Sequence, residues 1–191
     1  MIHKILLFVA LQFISCDKSS VAVSEEIVKK RDYAAFHKEA REFCKDKKFN
    51  EGYYFLIDLS IHSGKNRFFV YDFIQDTISA VALVSHGSCN TAFQPEPVFS
   101  NEPRGGCSSL GRYKIGKAYM GSFGKAYKLH GLDSSNSNAY QRYVVLHGYS
   151  AVPEKETEPF PIVNSLGCPM VTYGFLIKLS ALIERQEKPG V

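Results

Sequence analysis

Tyr53 to Ser85 reads YYFLIDLSIHSGKNRFFVYDFIQDTISAVALVS: three β-branched or aromatic runs, Tyr53–Ile61, Arg67–Phe73 and Ile78–Ser85, separated by HSGKN and QDT. Ser63-Gly64-Lys65-Asn66 carries hairpin chemistry, so the first two runs are expected to pair as antiparallel strands. Shorter strand candidates follow at Gly111–Ile115, Lys125–Leu129 and Tyr143–His147, with Gly-rich loops between them. Upstream, Glu25–Lys48 reads as a helix: Tyr33, Phe36, Ala40 and Phe43/Cys44 fall on one face, Ser24 is placed to cap it, and Glu25 and Glu26 open its first turn. Downstream, Phe175/Leu176, Leu179 and Leu182/Ile183 share a helical face over Thr172–Glu187, stopped by Pro189-Gly190. The pattern predicts a mainly β, largely antiparallel domain with a helix at each end.

The chain has 191 residues, 45% hydrophobic and 22% charged, with five Cys and no Trp. A domain of that length buries roughly two-thirds of the surface its unfolded chain exposes and needs neither metal nor disulfides to hold its core. The net charge of +4 is too small to argue for nucleic acid. No segment repeats at the period of a solenoid. Between Cys16 and Asn50 nine basic and seven acidic residues alternate, as on a solvated outer helix.

Met1–Ser15, MIHKILLFVALQFIS, has a positive flank at Lys4 and a short apolar run from Ile5 to Ile14. It is too short to span a bilayer and reads as the export signal of a lipoprotein, with Cys16 as the acylated residue after small Ser15. A diacylglycerol thioether plus an amide-linked chain would supply the two anchors that stable tethering requires. The expected organisation is therefore 1–15 signal peptide, 16–50 tether and helix, and 51–191 main domain, in an exported protein tethered to an envelope membrane.

Chemistry concentrates in Asn164-Ser165-Leu166-Gly167-Cys168-Pro169-Met170-Val171, just before the last helix. A cysteine attacks as its thiolate, and a helix N-terminus is one environment that lowers its pKa. Gly167 lets backbone amides face an oxyanion, and Pro169 keeps Cys168 out of helical dihedrals. His147, at the end of an apolar run and followed by Gly148, is the candidate base. The loop between them, with Pro153, Pro159, Pro161 and three Glu, is long enough to fold over a cleft. Cys89 and Cys107 lie in Gly/Ser loops and are candidates for a disulfide, and Cys44 reads as core. His86 and Cys89, three residues apart, lack the CxxC or HxxxH partner of a zinc site, so no metal and no cofactor is expected.

LHGYS (Leu146–Ser150) followed by SLGCPMV (Ser165–Val171) resembles the His-Gly and Ser-x-Gly-Cys motifs of the L,D-transpeptidase catalytic domain, the YkuD-like fold. CSSLGRYKIG (Cys107–Gly116) looks like the Thr-Pro-x-Gly-x-Phe stretch of that family. The resemblance is closer still to the variant branch with a Ser-x-Gly-Cys-Pro motif, in which phrases like FSNEPRGGCSSLG and KLHGLDSSNSNAYQRYVVLHG occur in this order, and it covers roughly Tyr53–Ile183. It implies a β-sandwich or barrel-like domain whose cysteine attacks a stem-peptide carbonyl of peptidoglycan. The thioacyl-enzyme is then resolved by an amine, giving a cross-link, or by water, giving a carboxypeptidase.

Carried over, Cys168 is the nucleophile and His147 the base, oriented by a carbonyl near Gly148. Amides of Gly167 and Cys168 form the oxyanion hole, and Ser165 shapes the pocket. The commoner family pattern has Arg where Met170 stands, which leaves a non-catalytic peptidoglycan-binding lipoprotein as the alternative from another class. Six basic residues and no acid lie between Pro103 and Leu132. Arg104, Arg112, His130, Arg142 and Asn164 are the candidates for substrate binding. The partners implied are stem peptides and, through Cys16, a membrane; the chain is expected to act as a monomer.

Overall fold

The structure, a computed structural model, describes the backbone of residues 5–10 and all of residues 32–185. The expected cap at Ser24, the first helical turn, the tether and Cys16 lie outside the described residues. Eight strands form one hydrogen-bonded sheet: β1 Ile5–Ala10, β2 Tyr53–Asp58, β3 Phe68–Asp72, β4 Thr77–Ala82, β5 Gly111–Gly121, β6 Gly124–Gly131, β7 Val145–Gly148 and β8 Met170–Val171, in the order β4-β3-β2-β1-β5-β6-β7-β8. Pairing is antiparallel except for β1 with β2 and β7 with β8. Among the described residues two α-helices complete the domain, α1 Ala34–Asp46 and α2 Tyr173–Arg185. The expected mainly β architecture with a helix toward each end is what is found.

Burial on both faces explains why the opening runs are continuous instead of alternating. All six residues of β2 are buried. Tyr53, Phe55 and Ile57 join Phe68 and Val70 in the core under α2, while Tyr54 and Leu56 join Phe69 and Tyr71 in the core under α1. Helix α1 lays Ala40 and Cys44 on that second core, as its apolar stripe predicts. The Tyr33 hydroxyl donates to Asp58 Oδ2 at 2.8 Å. Strand β4, at the sheet edge, reverts to alternating burial.

Ile5–Ala10, within the stretch read as an export signal, pairs between β2 and β5 in this uncut chain. Among the described residues no helix is long and apolar enough to cross a membrane.

The loop 149–163 does not close over the cleft as its length allows. Thr157 N and Glu158 N donate to Gly64 O, Ile162 N donates to Ser63 Oγ, and Lys65 pairs with Glu158 at 2.9 Å. Those bonds dock the loop on the β2–β3 turn, which leaves the cleft lined only by its ends, Tyr149 and Val163.

Candidate active site

Strand β8 brings the two candidate residues to one cleft. His147 is in register with Met170, and its amide reaches Pro169 O at 3.4 Å, which brings Cys168, the residue before Pro169, up to β7. Both line an open cleft of about 590 Å³ with Ser88, Phe93, Tyr119, Phe123, Arg142, Tyr143, Asn164 and Leu166.

His147 is 4% exposed, and its Nδ1 lies 3.0 Å from Gly148 O. A carbonyl only accepts, so Nδ1 carries the hydrogen and Nε2 is the basic nitrogen. Burial pulls the imidazole below its ordinary 6.5, with the Gly148 carbonyl acting the other way. Phe123, from the β5–β6 turn, stacks on the imidazole with ring centroids 4.9 Å apart. A Cβ on Gly148 would enter the Tyr173 ring at the start of α2, so only glycine fits there.

Cys168 Sγ accepts from Val145 N at 3.4 Å and approaches Tyr143 O at 3.6 Å. Tyr143 holds φ at +58°, a conformation that costs energy in a non-glycine residue and turns its carbonyl to the thiol. Burial raises the thiol above its ordinary 9.0, while the Val145 N–H and the Arg142 charge work to lower it. The helix starts within one residue of where the sequence put it, but that is too far along the chain to depress this thiol. Residues 169–171 pair with β7 and with Ser85, so α2 begins five residues past Cys168, capped by Thr172 Oγ1 on Phe175 N. A helix dipole fades within its first turn.

The turn before the cysteine is held on both sides. Ser165 N donates to His86 O and Ser88 N donates to Ser165 O, while Ser165 Oγ accepts from Gly167 N at 3.0 Å. The Gly167 amide is therefore engaged with Ser165, and the Cys168 amide has no partner among the described residues. Gly167 has φ +106°, and a Cβ there would sit 2.7 Å from Cys107 O, so the turn packs against the loop that Cys107 closes with Cys89 as a disulfide. That bond occupies both thiols a zinc reading would need. Among the described residues no group of His, Cys, Asp and Glu could hold a metal.

The expected substrate-binding residues divide. Arg142 lines the cleft, but its guanidinium is spent on Ser100 O, Ser109 Oγ and Cys107 O. Asn164 also lines it, and clamps Gln94 through its Oδ1 and Nδ2. Arg112 is fastened side-on to Asp133 and lies over Phe43, outside the cleft lining. Arg104 is exposed outside that lining, with its carbonyl held by Asn90. His130 stacks on Tyr140 with ring centroids 4.7 Å apart, outside the cleft lining. Met170 is buried against Leu83, Val152 and Ile162, so the position two residues past Cys168 is apolar.

Sequence reading missed Phe123, Tyr119 and Tyr143 as lining residues. It also missed the buried Arg67–His86 pair beneath the Ser165 turn, Nη2 to Nδ1 at 2.9 Å. The aromatic content of the GSFG turn and of Ala139–Val144 was the available signal.

A family model described as the L,D-transpeptidase catalytic domain matches residues 27–188, taking in both helices and every strand but β1. No curated protein and no solved structure matches the chain. With the family model spanning well over half of its length, the chain belongs to the L,D-transpeptidase catalytic domain family.

Proposed function

We propose that this protein is a cysteine acyltransferase acting on peptidoglycan stem peptides. The observation that carries the reading is the Cys168–His147 pair in one cleft, with Nδ1 held by Gly148 O so that Nε2 is the base. The Sγ proton passes to Nε2, and the thiolate attacks the carbonyl carbon of a stem-peptide bond. The Cys168 amide receives the oxyanion. Collapse breaks the C–N bond as His147 returns its proton to the departing amine. An acceptor amine then gives a proton to His147, attacks the thioester and releases Cys168; water in its place gives a carboxypeptidase.

The reading is tested by intact-mass analysis after incubation with a tetrapeptide stem. An acyl adduct and released terminal amino acid support it, and absence of both overturns it. Dimer product marks transfer, tripeptide alone marks hydrolysis.

The neutral thiol and neutral imidazole together hold the one proton that chemistry needs. Below the His147 pKa the base is lost, and above the Cys168 pKa the proton for the leaving amine is lost. Because burial lowers the first and raises the second, kcat/KM is expected to be flat through neutrality, with an acid limb below 6.5 and an alkaline limb above 9.0. An acid midpoint above 6.5 would contradict this assignment.

We further propose export and lipid tethering through Cys16, supported by the Met1–Ser15 pattern. Cys16→Ser is expected to move the protein from the detergent-extracted to the soluble fraction; unchanged fractionation counts against the anchor.

A further inference from the structure

Two strands of the sheet carry a cationic and aromatic strip away from His147. Ala126 of β6 is opposite His147, Lys128 is opposite Val145, and Tyr119 of β5 is opposite Ala126. Residues directly opposite in an antiparallel pair share a face, as do positions two apart on a strand. Lys128 and Tyr119 therefore stand on the face that presents His147 to the cleft. Lys128 Nζ lies 5.5 Å from the Tyr119 ring centroid, 4.9 Å from Tyr140 and 5.6 Å from Tyr143. Tyr119 and Tyr143 are walls of the cleft, and the Tyr143 carbonyl is the one that meets Cys168 Sγ. The ammonium is thus fixed one strand from the nucleophile by rings that hold a cation without neutralising it.

Three other cations of this region are committed. Arg112 is paired with Asp133, Lys125 with Glu184, and the Arg142 guanidinium serves two main-chain carbonyls and a serine. Lys128 makes no ion pair among the described residues.

Resting on the acyltransfer reading, the geometry points to Lys128, in its cage of Tyr119, Tyr140 and Tyr143, as the residue that binds the carboxylate of the amine leaving or entering at Cys168. His147 protonates the departing amine and deprotonates the entering one, so both amines occupy His147's side of the thioester, where this strip begins. The leaving residue of a stem carries a free α-carboxylate beside its nitrogen. The substrate class is accordingly an amine with an adjacent carboxylate, an α-amino acid centre. The strip supplies the charge that the buried Met170 position lacks.

The test compares two donors, a tetrapeptide stem ending in a free carboxylate and the same stem ending in a carboxamide, with the full chain and Lys128→Gln. A charge-assisted contact of this kind is expected to favour the carboxylate donor in wild type by about tenfold in kcat/KM. In Lys128→Gln that ratio should fall to about one, and Lys128→Arg should restore it. Equal loss on both donors with the ratio kept, as a misfolded or merely structural variant gives, overturns the assignment; so does a wild type that does not distinguish the donors. If wild type forms no acyl adduct with either donor, the acyltransfer reading itself has failed, which the adduct measurement separates from a failure at Lys128.

Discussion

Cys168→Ala is expected to abolish acyl-adduct formation and release of the terminal amino acid, while leaving the thermal midpoint close to that of wild type. The side chain's own bonds are two weak sulfur contacts, to Val145 N and Tyr143 O, so little folding energy leaves with it. No other described thiol can substitute. Cys44 is fully buried and pushed up to about 12, and Cys89 and Cys107 are bonded to each other. Where nucleophile and base work as one unit, losing either costs on the order of 10⁶ in kcat, and losing both costs little more. His147→Ala should therefore approach the Cys168→Ala rate, and the double variant should be no slower than the slower single one. The measurement is adduct mass and amino-acid release for the three variants. Persistent adduct in Cys168→Ala would remove Cys168 from the chemistry, and multiplicative losses in the double variant would show two residues acting independently.

The meeting of Cys168 and His147 in one cleft was legible in the sequence because the motifs that carry them are local and ordered. LHG and SLGCP are each short, and both His147 and Cys168 do line that cleft. What surrounds them was less legible for physical reasons. Strand β8 is two residues long and sits where the apolar pattern merges into the helix, so the sequence shows the turn ahead of the helix but not the pairing with β7 that separates the thiol from the helix N-terminus. Strand β5 runs to Gly121, past the Ile115 at which its run seemed to end, because a register shift between Ile115 and Ala118 breaks the alternation and its outer half is exposed. Counting charge along the chain made Pro103–Leu132 look uniformly basic. Arg112 finds its acid at Asp133, one residue past that window, and Lys125 finds its acid at Glu184 on α2. Partners brought in by the sheet and the last helix cannot be counted from a window of sequence. The double-sided core, by contrast, is written directly in the unbroken apolar character of β2 and β3.

Arg67→Met is expected to cost about 3–5 kcal/mol, as breaking a buried charged network does. For a chain of this size that lowers Tm by roughly 10 °C. Arg67 is fully buried, and burial brings its guanidinium down to about 9. Its Nε and Nη2 donate to Val84 O at 2.9 and 2.7 Å, Nη1 donates to Ile61 O at 3.1 Å, and Nη2 also meets His86 Nδ1. An apolar replacement can offset the loss of an ion pair when both charged side chains are removed together. Here that route is closed, since two of the acceptors are main-chain carbonyls and remain in the core unpaired. Asp58, also fully buried, would lose the nearby positive charge. Lysine offers one ammonium in place of a planar fork, so Arg67→Lys should recover only part of the loss. The same network sets the site: His86 gives its carbonyl to Ser165 N and its Nε2–H to Gln94 O, and Asn164 ties Gln94 back to the cysteine turn. Folded Arg67→Met, measured well below its midpoint, should therefore acylate more slowly than wild type, although the residue is not one of those lining the cleft. Denaturant unfolding and adduct kinetics on the same sample decide it. A wild-type midpoint would mean that the buried guanidinium contributes nothing to stability, and a lowered midpoint with unchanged acylation would confine its role to the core.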